Sequence, residues 1–473
     1  MNKLTDYFSD NILLSTGVVT LLLLVFFLAS CQNKKTSKNS ETVKKIPKHT
    51  NVHHLDWTKN ANIYEVNIRQ YTPEGTINAF IKHLPRLKNM GVDILWLMPV
   101  NPIGKKNRKG TLGSYYAVKD YLALNPEFGN MFDLKTLIDN AHEMGMYVIL
   151  DWVANHTAWD NQLVVDHPEW YKKDEAGNLA SPFDWTDVLQ LDYDNQELRT
   201  YMIGALKFWV EEVNIDGYRC DVAGMVPVDF WDEARAELDA IKPVFMLAES
   251  EKPNLVVDAF DMDYGWEFHH IMNQVAKGEM NAADLTKYFS KPEKKYPHGA
   301  YRMYFTSNHD ENSWNGTVNE RLGDAVKTFA ALSATVPAMP LIYSGQESGL
   351  DKRLSFFEKD TIQWDEDSEY YLFYQTLLSL KKRNKALWNG DFGGELKILQ
   401  TSYDTAIFAF FREKEGNKIV ALFNLSPNDQ EITIKGKSHI GEYKEVFTRE
   451  NSVINQTTTF NLNAWGFSIY ENR

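Results

Sequence analysis

An arginine and an aspartate stand two residues apart in GYRCDVAG (217–224). On a strand, alternation turns Arg219 and Asp221 to one side and Tyr218 and Cys220 to the other. A guanidinium beside a carboxylate favours the ionised acid, the state a nucleophilic carboxylate needs. An isolated R-x-D is more often a structural salt bridge, so the remaining acids decide between the two. In VFMLAES (244–250) an apolar run ends at Glu249, a setting that suits a carboxyl holding its proton. DWVANH (151–156) brings Asp151, Asn155 and His156, and FTSNHD (305–310) brings His309 and Asp310. One carboxylate to attack an anomeric carbon, one acid to protonate the leaving oxygen and further acids around them are the equipment of glycoside hydrolysis.

Those residues act together only if the chain gathers them, and its periodicity says how. From about Trp57, short apolar runs alternate with amphipathic ones. Strands are predicted over 63–68, 92–98, 146–152, 215–221, 244–249, 301–307 and 341–344, with a weaker one over 259–262. Helices are predicted over 77–90, ending at Gly91, and over 132–144. Eight strands separated by helices point to a closed parallel (β/α)8 TIM barrel, in which chemistry gathers at the C-terminal strand ends. Asp151, Asp221 and Glu249 end three of these strands and His309 and Asp310 follow the seventh, so one rim collects them. The excursion 154–195, rich in Trp, Asp and Pro, is expected to form an inserted loop domain after strand three. Short alternating strands from 392 to 473 predict a C-terminal antiparallel β-sandwich, leaving 57–391 as the catalytic barrel.

Composition narrows the class of partner. Sixty-four acids against fifty bases give a net charge of −14, which lacks the basic footprint of a nucleic-acid binder. The only cysteines, Cys31 and Cys220, belong to unrelated segments, so no disulfide framework is expected, and Cys220 reads as a small buried hydrophobe. The stretch 11–29 is uncharged and mostly apolar and closes on LASC (28–31), which resembles a bacterial lipobox. That reading makes 1–30 a lipoprotein signal peptide, Cys31 a lipidated residue and 31–56 a Lys/Ser/Asn-rich tether; an uncleaved membrane anchor is the alternative. The expected location is extracytoplasmic, anchored to a membrane through the lipid. The lack of an acidic cluster after Cys31 favours a periplasm-facing site over outer-surface display.

Taken in order, DWVANH, GYRCDVAG, LAES (247–250) and FTSNHD resemble glycoside hydrolase family 13, the α-amylase family, over about Trp57 to the C-terminus. The resemblance implies Asp221 as nucleophile, Glu249 as general acid/base and Asp310 as the acid that holds substrate hydroxyls. It places His156, Arg219 and His309 around the same subsite and makes Tyr116, in GSYYAVKDY (113–121), the tyrosine stacked on the sugar being cleaved. It also implies retention of anomeric configuration through a covalent glycosyl-enzyme, on starch-derived α-glucans or maltooligosaccharides. Gly224-Met225 stand where many starch-acting members carry Lys-His, and DVAGMVPVDFW (221–231) is closer to the neopullulanase and cyclomaltodextrinase branch, which cuts α-1,4 and sometimes α-1,6 bonds. That branch's M-P-K-L-N motif is replaced by VLQLD (188–192), and no N-terminal β-domain is expected ahead of Trp57. Gln190 replaces a calcium-ligating aspartate, so Asn155 alone is left as a candidate ligand for a structural calcium; no organic cofactor is implied.

Rivals share these residues. Transglycosylation uses the same intermediate with a sugar hydroxyl in place of water. A glucan-binding lipoprotein without activity would not need Asp221, Glu249 and Asp310 together. A metallohydrolase built on His156 and His309 lacks the H-x-H that such a centre commonly shows at a strand end. Of Trp152, Trp159, Trp170, Trp185 and Trp314, two or three are expected to stack on sugars and the rest to fill loop cores. Lys105, Lys106, Arg108 and Lys109 read as a solvated loop, and Glu347 as a structural acid.

Overall fold

A computed structural model of the protein describes residues 52, 54–291, 296–365 and 367–472. Cys31, the signal segment and most of the expected tether lie outside the described residues. Among the described residues no helix is long and apolar enough to cross a membrane. His54, assigned to the tether by sequence, instead stacks on Tyr301 with ring centroids 3.6 Å apart and belongs to the packed body.

Eight strands close a parallel barrel: β1 (Ile63–Val66), β2 (Ile94–Leu97), β3 (Tyr147–Trp152), β4 (Gly217–Cys220), β5 (Phe245–Ala248), β6 (Met262–Tyr264), β7 (Tyr301–Tyr304) and β8 (Met339–Tyr343). They pair in sequence order, and β8 closes on β1. Alternation divides their side chains. Ile63, Trp96, Ile149, Leu247 and Met303 fill the interior, while Tyr218, Cys220, Met246 and Ala248 face the helical layer. Cys220 is a free, fully buried thiol in that outer layer. Gly217 lets β4 approach β5: its φ is +149°, and a Cβ there would stand 1.8 Å from the Phe245 carbonyl oxygen.

Three elements depart from expectation for physical reasons. The helix over 77–90 is two helices, Ile77–Ile81 and Leu84–Met90. Pro85 has no N–H to donate and its ring crowds the carbonyl four residues back, which costs about 3 kcal/mol inside a helix. The first strand stops at Val66 because Asn67 caps a short helix, Ile68–Tyr71, by accepting from the Gln70 N–H. The sixth strand begins at Met262; Asp261 uses its carboxylate to accept from the Met246 N–H and to pair with Arg235.

The inserted segment carries a small antiparallel ladder, His156–Ala158 against Val188–Gln190, which sets His156 opposite Gln190. The C-terminal region holds a six-stranded antiparallel sheet and a two-stranded one, Gln430–Thr433 with Thr459–Leu462. Ile407, Ala409 and Phe411 share a core with Ile432 and Phe460 of the smaller sheet, while Phe408 and Phe410 pack into the barrel's main core. One strand thereby seals two layers, as period-two alternation dictates.

Candidate active site

Arg219, on β4, points into the barrel mouth and is fully buried. Its Nη1 donates to Asp151 Oδ1 at 2.8 Å and Oδ2 at 3.1 Å, and to Asp221 Oδ1 at 3.1 Å. Nη2 lies 2.9 Å from Glu249 Oε2, an ion pair without hydrogen-bond alignment. Nε donates to the Tyr264 hydroxyl at 3.2 Å, and the guanidinium sits 5.0 Å from the Trp96 ring centroid. Burial disfavours this cation, but Asp151 and Glu249 hold its pKa well above the usual arginine value. Arg219 is therefore more than half of a salt bridge: it binds the ends of three neighbouring strands through their acids.

Asp221 and Glu249 lie one residue beyond β4 and β5, each side chain about 10% accessible, and Asp310 is 38% accessible. Arg219 beside Asp221 predicts, from sequence, an acid in the ordinary ionised range. Instead, burial and then the Glu249 charge push the Asp221 carboxyl well up, against the pull of Arg219. The reason is that one guanidinium serves three acids. Glu249 Oε2 also accepts from the Val222 N–H at 2.7 Å. Val222 has φ +36° and ψ 44°, a left-handed conformation that costs a β-branched residue about 1–3 kcal/mol. The strain aims that N–H at the acid.

On the other side, His309 and Asp310 follow β7. His309 Nδ1 bonds the buried Glu65 carboxylate of β1, and Nε2 lies 2.7 Å from the Tyr116 hydroxyl and 3.4 Å from Asp310 Oδ2. Burial pushes the imidazole down, but the Asp310 and Glu65 charges outweigh it and bring its pKa to about 9. Burial meanwhile raises Glu65 against the pull of His309. The imidazolium is the state we assign to this pair, because Asp310 supplies it with a second anion. Both ring N–H groups then donate, leaving the Tyr116 hydroxyl to donate to Asp151 Oδ2 at 3.1 Å. Tyr116 stacks on His309 with centroids 5.4 Å apart and runs parallel to Phe356.

His156 is buried and its pKa falls to about 3 through desolvation, so it is neutral. It touches Trp185 edge-on at 5.4 Å. Trp314 donates to Asp310 Oδ1 at 3.2 Å and packs on Phe356. Trp152 and Trp170 are core residues, whereas Trp185 and Trp314 border the site. Asn155 is buried with its amide nitrogen 3.2 Å from His156 Nδ1. Among the described residues, one group of acids and histidines lies within metal-ligand range, His167, Glu169 and Glu197, and it does not include Asn155. Glu347 accepts from the Tyr64 hydroxyl and pairs with Arg86, a buried structural role.

The model of the Alpha-amylase family, "Alpha amylase, catalytic domain", matches residues 35–188 and 164–366. The chain belongs to the α-amylase family. Within it, the chain is 32% identical to the crystallised noncanonic maltogenic alpha-amylase AmyB of Thermotoga neapolitana, with a TM-score of 0.80 over 88% of this chain and 99% of that one. It is 25% identical to alpha-amylase MalA of Haloarcula japonica over 80% of this chain, and spans 55% of that relative's length. It is 27% identical to a cyclomaltodextrinase of a Bacillus species over 74% of this chain and 65% of that one. Against this α-amylase-family frame, sequence reasoning missed Glu65, Trp96, Tyr264 and Phe356 as site residues. Glu65 did leave a signal, an acid inside the apolar strand IYEV, whereas the other three look like ordinary core aromatics.

Proposed function

We propose that the protein is a retaining α-glucan hydrolase, cleaving α-1,4 bonds, and α-1,6 bonds in branched substrates, of starch-derived oligo- or polysaccharides. The observation that carries this reading is the single guanidinium of Arg219 against both Asp221 and Glu249. Two carboxyls held by one guanidinium favour the short separation that a retaining mechanism uses. The mechanism needs Asp221 ionised and the proton on Glu249. Asp221 then attacks the anomeric carbon while Glu249 gives its proton to the leaving oxygen. In the second step Glu249 takes a proton from water, whose oxygen displaces Asp221. Asp310 holds sugar hydroxyls, with the His309 imidazolium beside it and Tyr116 beneath the ring.

Relatives named as a maltogenic alpha-amylase and a cyclomaltodextrinase support the neopullulanase-like reading of 221–231. The test is product analysis of the full-length protein on soluble starch, pullulan, cyclodextrin and maltotriose. Cyclodextrin and pullulan are expected to disappear first, with products released in the α configuration. Release of β-anomers, or no release from any of the four, would overturn the proposal.

We also propose that Cys31 is lipidated and that the enzyme works outside the cytoplasm, anchored to a membrane; the support is the apolar stretch 11–29 ending in LASC. Labelling with a radioactive fatty acid is expected to mark the wild type and not Cys31→Ala. Any calcium has a structural part only, with the Asn155 side-chain oxygen as its candidate ligand, since the acids of the chain itself carry the chemistry.

A further inference from the structure

The loops that carry Asp221 and Glu249 are tied together twice. The first tie is Val222 to Glu249. The second is Lys252, three residues past Glu249, whose Nζ donates to the Gly224 carbonyl at 2.8 Å. The lysine stem occupies space that only glycine leaves open. A Cβ at Gly224 would stand 3.3 Å from Lys252 Cδ and Cε and 2.8 Å from Ser250 Oγ. Burial pushes the Lys252 ammonium below its ordinary range, and no carboxylate pairs with it among the described residues. An ammonium carries three donors and the Gly224 carbonyl takes one. Two remain on a half-buried cation without a counter-ion, an arrangement that is costly unless oxygen atoms complete it.

Position says which oxygens these are. Glu249 delivers its proton to the leaving oxygen, so residues on its own loop border the sugar that departs. We propose that Lys252 is a specificity-determining residue of the leaving-group subsite, donating to hydroxyls of the departing sugar and, in transfer, of an acceptor sugar. This rests on the hydrolase reading above. In transfer the acceptor hydroxyl gives its proton to the Glu249 carboxylate, its oxygen bonds to the anomeric carbon, and the bond to Asp221 breaks, returning the electron pair to that carboxylate. Ser250, whose buried hydroxyl has no hydrogen-bond partner among the described residues, lies beside the same stem.

The experiment compares p-nitrophenol release from p-nitrophenyl α-maltoside, whose leaving group has no sugar hydroxyls, with cleavage of maltotetraose. Wild type, Lys252→Met, Lys252→Arg and Gly224→Ala are measured as full-length proteins. Lys252→Met is expected to lose about ten-fold more kcat/KM on maltotetraose than on the aryl substrate, the size of one charged hydrogen bond. Lys252→Arg should keep the wild-type ratio, and Gly224→Ala should shift it in the direction of the methionine variant. Equal losses on both substrates would reduce Lys252 to a loop tie and overturn the proposal, as would no loss on either. A wild type inactive on both substrates would overturn the hydrolase reading and this inference with it, whereas an active wild type with an unmoved ratio overturns this inference alone.

Discussion

Replacing Arg219 by lysine keeps a positive charge and removes the planar fork. The guanidinium reaches Asp151, Asp221, Glu249 and the Tyr264 hydroxyl from three nitrogens at once. A lysine presents one point charge on a flexible stem. If that charge stays with Asp151, the charge-assisted hydrogen bond to Asp221, about 1.5–3 kcal/mol, is lost together with the ion pair to Glu249. The hydrogen bond alone corresponds to a fall in kcat/KM of at least about tenfold. The change is also directional in pH. Burial and Glu249 push Asp221 up while Arg219 pulls it down, so weakening that pull raises Asp221 further. An ionised nucleophile is then lost at a higher pH as acid is added. Rates of aryl α-maltoside cleavage measured from about pH 4 to about pH 9, roughly the carboxylate-to-imidazole range and beyond, should show the acid limb of Arg219→Lys displaced upward. Circular dichroism and urea unfolding would establish that the variant is folded. A folded variant with kcat/KM within about three-fold of wild type and the same acid limb would refute this assignment of Arg219, since three-fold is less than one hydrogen bond.

Three further outcomes follow. Glu65→Gln removes one of the two anions that raise His309, so the imidazole titration, read by nitrogen-15 NMR of labelled histidine, should move down from about 9; an unmoved titration would contradict the assigned ion pair. Because the folded pKa lies above the unsubstituted 6.5, His309 contributes stability that is complete below 6.5 and lost as pH rises through about 9. The difference is worth up to about 3 kcal/mol at 1.36 kcal/mol per unit, so the urea midpoint of the wild type should fall across that window, and that of Glu65→Gln should fall less. Dialysis against EDTA should leave kcat/KM within about two-fold, because no step uses a metal, and lower at most the melting temperature; loss of turnover restored by calcium would contradict a purely structural part.

The rim was legible because barrel strands announce themselves as apolar runs, and an acid that ends such a run has one place to go. Asp221 and Glu249 were readable in that way, as was the convergence of His309 and Asp310. Glu65 was harder, since its importance comes from β1 closing against β8 and standing across from β7, a fact of topology and not of local pattern. The electrostatics were harder still. R-x-D reports one pair, but the number of acids that share Arg219 depends on three strand registers, and that number sends Asp221 up when the pair alone would send it down. Lys252 belongs to the same class: nothing in its neighbours along the chain announces that its stem lies over Gly224. Helix ends failed for a local reason, because Pro85 broke an otherwise unbroken apolar period.

The most direct test of the account is to trap its covalent intermediate. Glu249→Gln, which forms the glycosyl-enzyme from an activated α-glycosyl fluoride but lacks the base to hydrolyse it, would be digested and sequenced by mass spectrometry. The account predicts one added glycosyl unit on Asp221, with Asp221→Asn inactive yet folded. A label on any other residue, or near-native turnover in Asp221→Asn, would contradict it.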